Sequence, residues 1–429
     1  MPHPPARFGG QMCGRRRFLT FSIVSSYTTI AAYVIFFASY VVFALGKFPG
    51  LKIDRSGAAF IGGVLMVAFR VLPARQALNA IDFPTIVLLL SMMLLLACLH
   101  LAGFFDWIAG RVVSGIEPHH LLPGIIFLTG ILSAFFVNDI ICLAMAPFAI
   151  VTAKRMGLRP VPYLLAVATS SNIGSVASIT GNPQNILIGS YSGIGYRDFL
   201  AHLGPVAIAG LFLDWLVLWL LCTRNAPPSG PDPATPERHI GTRNFAKPAV
   251  VIAGVLVGFL AGVPPALCAA IGAAIMLVTR SRKPQEIYKE VNWALLVFFA
   301  GLFLIVGGAE KAGLTEKVLA IGQRVNLQNT GVLTVVSAAL SNVVSNVPAV
   351  MVLKSMVASF ANPRQGWFVL AMSSTLAGNL TITGSVANII VIERARGEAE
   401  IGFLDYLRVG VPITLLTLLA GWLWLRMVS

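Results

Sequence analysis

Two polar runs, SSNIGS at residues 170–175 and TGNPQN at residues 180–185, interrupt an otherwise apolar stretch of the chain. Such residues are costly at membrane depth unless they line a cavity, because backbone groups freed from a helix must find other partners. A similar pair of runs, SSTLAGN at residues 373–379 and TGSVAN at residues 383–388, follows 203 positions later. Interrupted helices at matched positions in two halves of a chain indicate the binding site of a secondary transporter.

The composition is that of a membrane protein. Of the 429 residues, 57% are hydrophobic and 11% are charged, whereas a soluble protein carries about 25% charged residues. The net charge of +14 comes from basic residues that lie mostly in short loops between apolar runs. This distribution is typical of the positive-inside bias, so we expect a lipid bilayer as the partner and no nucleic acid.

Apolar runs of about 20 residues, the length that crosses a bilayer as a helix, occur five times in each half. They lie at 19–45, 56–73, 84–103, 160–190, 203–222, 248–264, 265–280, 291–309, 366–392 and 409–428. The runs 160–190 and 366–392 contain the polar residues and predict broken helices. Two longer stretches, 121–153 and 331–360, are each interrupted by asparagine and predict a re-entrant helical hairpin with a polar tip.

The chain divides into two halves that match beyond the polar runs. Residues 102–103 fall on 312–313 at an offset of 210, and Asn138 falls on Asn342 at an offset of 204. Slowly drifting offsets indicate a diverged duplication, and an odd number of crossings places the second half upside down. The sequence therefore predicts an all-α polytopic membrane protein of two inverted repeats, each with five transmembrane spans, one of them broken, and a re-entrant hairpin.

The first repeat is predicted at residues 19–222 and the second at 248–429. Residues 1–18, which are rich in proline, glycine and arginine, predict a disordered basic tail. Residues 223–247 contain five prolines and predict a cytoplasmic linker.

The helix breaks and the hairpin tips form the candidate site. At the first break, Thr180 to Gln184, freed N–H groups would suit an anion or a polarised oxygen, and freed carbonyl groups would suit a cation such as Na⁺. The predicted substrate-binding residues are Asn138, Ser171, Asn172, Thr180, Gly181, Asn182, Gln184, Asn185, Ser341, Asn342, Asn346, Ser374, Thr383, Gly384, Ser385 and Asn388. The alternative is that these small polar residues only hold helices together.

Asp139 is the candidate for proton or cation coupling. It lies deep in an apolar stretch, where an ionisable residue is expensive and marks function by default. Its counterpart at the offset of 204 is Val343, so only one repeat carries the acid. The alternative is a carboxylate that caps the start of a hairpin helix. Asp214, inside a span, is a weaker second candidate that could pair with a basic neighbour.

Motifs of enzymes and of ATP-driven pumps are missing from the sequence. It contains no HExxH, no GxxxxGKS or GxxxxGKT and no CxxC, which are the motifs of zinc proteases, nucleotide-binding loops and dithiol centres. We therefore expect no enzymatic activity, no cofactor, no metal site and no ATP-driven transport by this chain alone.

Several of these runs resemble the ion transporter superfamily, which includes arsenite and antimonite permeases, citrate transporters, divalent anion/sodium symporters and one class of Na⁺/H⁺ antiporters. The similar segments are FVND at 136–139, SNIGS at 171–175, TGNPQN at 180–185 and the run from Ser341 to Pro348. The resemblance implies two inverted repeats, two hairpins, a substrate site between hairpin tips and helix breaks, and often a homodimer. An ATPase subunit is a further candidate partner.

Within the superfamily, the Asn138-Asp139 pair is similar to that of arsenite permeases and related antiporters. The divalent anion symporters instead carry Ser-Asn-Thr at both tips and both breaks, which this chain does not. We therefore expect a secondary transporter of a small anion or oxyacid in the inner (plasma) membrane, specifically proton-coupled efflux of arsenite or antimonite. The alternatives are cation-coupled import of a carboxylate or inorganic anion, and Na⁺/H⁺ antiport.

Overall fold

A computed structural model describes residues 12–46, 53–113, 117–224, 246–278 and 283–428, and these residues form helices joined by short turns. The α-helices of the first half are α1 (Met12–Leu45), α2 (Arg55–Ala68), α3 (Ala74–Ala80), α4 (Phe83–Leu101), α5 (Phe104–Val113), α6 (Leu121–Phe135), α7 (Asn138–Arg155), α8 (Pro160–Ser175), α9 (Pro183–Ser192) and α10 (Tyr196–Leu218), which a short π-helix continues over Trp219–Thr223. Those of the second half are α11 (Ala246–Leu260), α12 (Pro265–Val278), α13 (Pro284–Lys289), α14 (Trp293–Lys311), α15 (Leu314–Arg324), α16 (Thr330–Val344), α17 (Asn346–Val357), α18 (Pro363–Leu376), α19 (Val386–Ala395) and α20 (Phe403–Val428).

The predicted tail and linker lie largely outside the described residues. Residues 1–11 and 225–245 are not among them. Residues 12–18, which the sequence assigned to the tail, belong to α1.

The chain forms two compact units. The first consists of residues Met1–Ile81 and Val297–Lys317. In it, Gly63 and Gly301 allow α2 and α14 to pack with their backbones in contact, because a side-chain carbon at Gly301 would overlap the carbonyl of Ala59. The second unit consists of residues Asp82–Leu296 and Val318–Ser429 and contains both predicted hairpins and both predicted breaks.

Six helices in the described part of the chain are long and apolar enough to cross a membrane. They are Tyr27–Leu45, Phe83–Leu101, Pro118–Phe135, Tyr196–Thr223, Trp293–Lys311 and Phe403–Val428. This confirms the all-helical architecture with several apolar helices. Helices α2, α11 and α12 have 14 or 15 described residues, fewer than the roughly 20 that a full crossing needs, so the number of spans in each half stays a prediction.

The order of helices in the first half recurs in the second. Corresponding helices begin at Arg55 and Pro265, at Phe83 and Trp293, at Pro160 and Pro363, and at Tyr196 and Phe403. The offsets between these starts are 210, 210, 203 and 207, which agree with the offsets between matching residues. The conserved spacing of helix starts supports the duplication.

The hairpin tips require a different alignment from the predicted one. Asn138 is the first residue of α7, and the first residue of α17 is Asn346, not Asn342. The offset at the tips is therefore 208, and Asn342 lies in the last turn of α16. The counterpart of Asp139 becomes Val347, so the acid is still present in one half only. The predicted match paired Asn138 with Asn342, an identical residue that lies one helical turn before the true counterpart, Asn346.

The two helix breaks also lie slightly earlier than predicted. Helix α8 ends at Ser175 and α9 begins at Pro183, so Gln184 belongs to the first turn of α9 rather than to the break. Proline is favoured at the first helical position, because its missing N–H has no intrahelical partner there. In the second half the chain between α18 and α19 forms two 3₁₀ turns, Ala377–Asn379 and Ile382–Gly384.

Helices α6 and α8 pack closely through glycine. A Cβ atom at Gly174 would overlap the backbone carbonyl of Gly130. We expect Gly174→Ala to lower the free energy of unfolding by about 3 kcal/mol, since neither backbone can yield as a side chain would. The measurement is the thermal unfolding midpoint of purified protein in detergent. Gly254→Ala is the matched control, because Gly254 in α11 faces open space and should be neutral or stabilising by up to about 1 kcal/mol. Equal midpoints for the two variants would contradict the close packing.

Candidate functional site

Asn172, in the last turn of α8, connects the first half of the chain to the second break. Its amide nitrogen donates to the side-chain oxygens of Asn379 (2.8 Å) and Asn388 (2.9 Å). Its amide oxygen accepts from the Asn138 amide (3.1 Å) and the Ser385 hydroxyl (2.9 Å). A carboxamide has two N–H donors and two lone pairs, so these four bonds satisfy the buried Asn172 side chain completely.

Thr375, which lies 203 positions after Asn172 on α18, makes the reciprocal contacts to the first break. Its hydroxyl accepts from the side chains of Asn182 and Gln184, each at 3.2 Å. It donates to the amide oxygen of Asn185 at 3.4 Å. The helix before each break therefore holds the break of the other half, and the two breaks meet within the second unit.

Asn185 and Asn388 hold the two breaks closed in the same way. The Asn185 amide donates to the carbonyl oxygens of Ser175 (3.1 Å) and Ser178 (3.0 Å). The Asn388 amide donates to the carbonyls ten and seven residues earlier, at 2.7 and 3.0 Å. Carbonyl groups at each break thus have protein partners, and both asparagines, predicted to bind substrate, bind the chain itself.

The starts of the two helices after the breaks are capped by their own side chains. The Asn182 side-chain oxygen accepts from the backbone N–H of Asn185 at 2.8 Å. The Ser385 hydroxyl accepts from the N–H of Ala387 at 3.3 Å. Caps of this kind satisfy the N–H groups that a helix start leaves free. This reduces the number of backbone donors that the sequence predicted for an anion.

Each hairpin tip lies on the break of its own half. The backbone N–H of Asn138 donates to the carbonyl of Gly181 at 3.0 Å. In the second half, Asn342, in the last turn of α16 before the tip, donates its amide N–H to the carbonyl of Ala377 at 2.9 Å. A side-chain carbon at Gly181 would overlap the carbonyl of Ser175, so the first break needs glycine for close backbone approach.

The other predicted residues are held mainly by local bonds. The hydroxyls of Ser171 and Ser374 donate to the carbonyls three residues earlier in their own helices, at 2.9 and 3.4 Å. The Thr180 hydroxyl bonds to that of Tyr196 at 2.9 Å. Thr383 is exposed, and Gly384 lies against the Asn342 side chain.

Four side chains at the tips keep polar atoms without a partner in the described part of the chain. The amide oxygens of Asn138 and Asn346 and the hydroxyl of Ser341 are buried and make no hydrogen bond. Asp139, in the first turn of α7, is half-buried, and no hydrogen bond or ion pair to it is found among the described residues. Buried polar atoms usually have partners, so at the tips these atoms are free to accept a bond from a ligand. The two amide oxygens are acceptors only, and so is Asp139 when it is ionised.

Sequence reasoning missed Thr375 and Asn379, which bond directly to the predicted residues. Thr375 could have been found from the offset of 203, because it occupies the position of Asn172 in the second half. Asn379 has no polar counterpart in the first half, where Val176 stands at that position.

Comparison with known proteins gives a family match over most of the chain. The model of the citrate transporter family matches residues 40–377. A silicon efflux transporter of Oryza sativa subsp. japonica is 30% identical over 451 residues, which covers 87% of this chain and 92% of that protein. A transporter named arsB in Dictyostelium discoideum is 25% identical over 489 residues, with 86% and 87% of the two chains covered.

A solved structure shares the fold. The MtrF protein of Neisseria gonorrhoeae, described as one of a class of antimetabolite efflux pumps, has a TM-score of 0.59 to this chain. The alignment covers 94% of this chain and 95% of MtrF, at 12% sequence identity. Similarity at that level of identity extends to the fold alone.

Proposed function

The chain belongs to the citrate transporter family of membrane transporters, and from this premise we propose that it is a secondary transporter that exports arsenite or antimonite in exchange for protons. The observation that carries the proposal is the set of polar atoms left without partners at the two tips. The free atoms are the amide oxygens of Asn138 and Asn346 and the Asp139 carboxylate, each of which can accept a hydrogen bond from a ligand.

A neutral metalloid hydroxide is the ligand that best complements this set. Arsenous acid presents three O–H donors and no charge, so each O–H can donate to one of the acceptors. A carboxylate such as citrate presents further acceptors and negative charge, which would lie beside Asp139 without compensating donors. Like charges in a water-poor site repel strongly. The acceptors therefore favour an oxyacid over a polycarboxylate.

The names of the relatives support the same chemical class. Silicic acid, the neutral hydroxide of silicon, presents O–H donors as arsenous acid does. A silicon efflux transporter is the relative at 30% identity, and a relative at 25% carries the name arsB. A site that recognises the O–H donors rather than the central atom would bind either hydroxide.

Asp139 provides the coupling in this proposal. An ionised Asp139, in the first turn of α7, can accept a hydrogen bond from a substrate O–H. Protonation removes that acceptor and weakens substrate binding. Proton and substrate then exclude each other at one carboxylate, which is the requirement for exchange of the two across a membrane.

The reciprocal contacts of Asn172 and Thr375 support two repeats related by a two-fold axis. Each reaches the break of the other half, as expected for inverted repeats that meet at a shared site. We propose that the helix pairs α6–α7 and α16–α17 are re-entrant hairpins, and that the protein is a multi-pass protein of the inner (plasma) membrane. Movement of the tips against the breaks would open the site alternately to the two sides.

A second candidate function follows from the same acceptors. Carbonyl and carboxylate oxygens also bind Na⁺, so the tips could hold a coupling cation for the import of a carboxylate or inorganic anion, or for Na⁺/H⁺ antiport. The two functions differ in what they require. Oxyacid exchange needs a proton gradient and no Na⁺, whereas the alternatives need Na⁺.

Flux into proteoliposomes distinguishes the candidates. Purified protein is reconstituted, and uptake of arsenite, antimonite, silicic acid, citrate, sulfate and Na⁺ is compared with and without a pH gradient. We expect arsenite uptake that rises when the vesicle interior is acidic and does not depend on Na⁺. Uptake of citrate or sulfate that requires Na⁺, with arsenite at the level of empty vesicles, would establish the second candidate instead.

A further inference from the structure

Tyr196, the first residue of α10, is a buried phenol that the proposed exchange does not use. Its side chain is 3% exposed, and its ring packs against that of Phe259 on α11 with a centroid distance of 5.0 Å. Its hydroxyl lies 2.9 Å from the hydroxyl of Thr180 in the first break. A phenylalanine ring would pack in the same way, so packing does not account for the hydroxyl.

The direction of the hydrogen bonds around Thr180 follows from the number of protons. A hydroxyl has one proton to donate and two lone pairs. The Thr180 proton is directed to the carbonyl of Phe135 at 3.2 Å, so Tyr196 must donate the bond between the two hydroxyls. Tyr196 is thus the donor at the start of a chain of two hydrogen bonds that ends on the first hairpin.

The carbonyl at which this chain ends belongs to the last turn of α6. The last four carbonyls of a helix have no partner within the helix. The first break bonds to two of them, since Thr180 donates to Phe135 and the Ser178 hydroxyl donates to Ala134. The backbone N–H of Asn138, at the start of α7, donates to the same break. Both helices of the first hairpin are therefore tied to the break at the tip.

The second half lacks this arrangement. Phe403 occupies the position of the tyrosine at the offset of 207, has no hydroxyl and is 54% exposed. Thr383, the counterpart of Thr180, is exposed, and its hydroxyl lies 3.4 Å from that of Thr381. No side chain in the described ranges donates to the last two carbonyls of α16. The hydrogen bonds that connect α16 to its break in the described part of the chain are those of the Asn342 side chain.

We propose that Tyr196 is a positioning residue that fixes the first hairpin tip on its break, and that the second tip, which has no such donor, is the more mobile of the two. The chain through Thr180 holds the end of α6, and thereby the place where Asn138 presents its free amide oxygen. Opening of the first tip requires the loss of bonds that the second tip does not make. The placement of the tip does not depend on the substrate, whereas its effect on transport rests on the proposed function.

Hydrogen–deuterium exchange of the purified full-length protein in detergent tests the positioning. Backbone amides exchange through local opening, so their protection reports how firmly a segment is held. After correction for intrinsic rates, we expect slower exchange at residues 136–141 than at residues 344–349 in the wild type. In Tyr196→Phe, exchange at the first tip should become about fivefold faster, the effect of one lost hydrogen bond, with no change at the second tip.

Tyr406→Phe is the matched control for this variant. It removes the same atom from a buried tyrosine whose hydroxyl has no hydrogen-bond partner among the described residues, so exchange at the first tip should stay at the wild-type rate. Thr180→Val removes the next link. Because both changes break one chain, the double variant with Tyr196→Phe should exchange no faster than Thr180→Val alone.

Two results would overturn the proposal. Equal exchange at the first tip in Tyr196→Phe and Tyr406→Phe would show that the Tyr196 hydroxyl does not hold the tip. Slower exchange at the second tip than at the first in the wild type would show that the second tip is not the more mobile one.

Transport kinetics separate positioning from a general loss of stability. Displacement of the Asn138 oxygen weakens substrate binding, so Tyr196→Phe should raise the KM for arsenite several-fold, with kcat and the thermal unfolding midpoint near the wild-type values. A lower midpoint with an unchanged KM would make Tyr196 a purely structural residue. If the wild type carries no arsenite, the proposed function fails, whereas the exchange measurement still decides the role of Tyr196.

Discussion

Asp139→Asn reduces proton-driven arsenite flux to the level of empty vesicles, while the protein folds as the wild type does. The expected loss is complete, because the amide cannot gain or lose the proton on which the exchange depends. The carboxylate has no hydrogen bond to lose in the described part of the chain, so we expect the free energy of unfolding to change by less than about 1 kcal/mol. Reconstituted flux and thermal unfolding in detergent measure the two effects.

Asp405→Asn is the matched control for this variant. The chemical change is the same, but Asp405 is exposed near the start of α20 and pairs with Arg408 at 3.7 Å. Exposed ion pairs contribute about 0–1 kcal/mol, so flux and stability should both stay near the wild-type values. If the pH gradient drives the same arsenite flux in Asp139→Asn as in this control, Asp139 has no role in proton coupling.

Asn172→Ala is expected to give the largest loss of stability among the site variants. Four hydrogen bonds disappear, and the buried side chains of Asn138, Ser385, Asn379 and Asn388 each lose a partner. A buried polar group left without its partner costs about 1–3 kcal/mol. We therefore expect the free energy of unfolding to fall by about 4 kcal/mol or more, together with loss of flux, since the first tip and the second break are no longer connected.

Asn362→Ala is the control for the loss of an asparagine. Asn362 is exposed and caps α18 through one bond to the N–H of Gln365 at 3.2 Å. Loss of such a cap costs about 1 kcal/mol and should leave transport intact. If the free energy of unfolding and the flux of Asn172→Ala are no lower than those of Asn362→Ala, Asn172 does not join the two halves.

The repeat offset of 203 identified residues with equivalent surroundings in the two halves. It paired Asn185 with Asn388, and both side chains bond to carbonyls ten and seven residues earlier. Identical residues at equivalent positions in duplicated helices have equivalent backbone groups around them, so they form equivalent hydrogen bonds. The pairing of Asn172 with Thr375 was missed because the two residues differ, although they make reciprocal contacts.

The sequence could not fix the register of the hairpins. Asn342 and Asn346 both suit a polar tip, and only the backbone distinguishes them: the helix pair turns at Ser345, whose φ is +77°. Nor could it place the ends of the apolar helices. The apolar run at 248–264 includes the turn after α11, where Gly262 adopts a φ of +87°. Apolar composition continues through such turns, so hydropathy alone does not show where a helix ends.

Simultaneous recording of arsenite and proton movement in the same proteoliposomes tests the central claim most directly. Radiolabelled arsenite is followed together with a pH-sensitive dye inside the vesicles, for the wild type and for Asp139→Asn. We predict that arsenite entry is accompanied by proton exit in the wild type, and that both are lost in Asp139→Asn. Arsenite entry without proton movement, or Na⁺-dependent citrate entry in its place, would contradict the account.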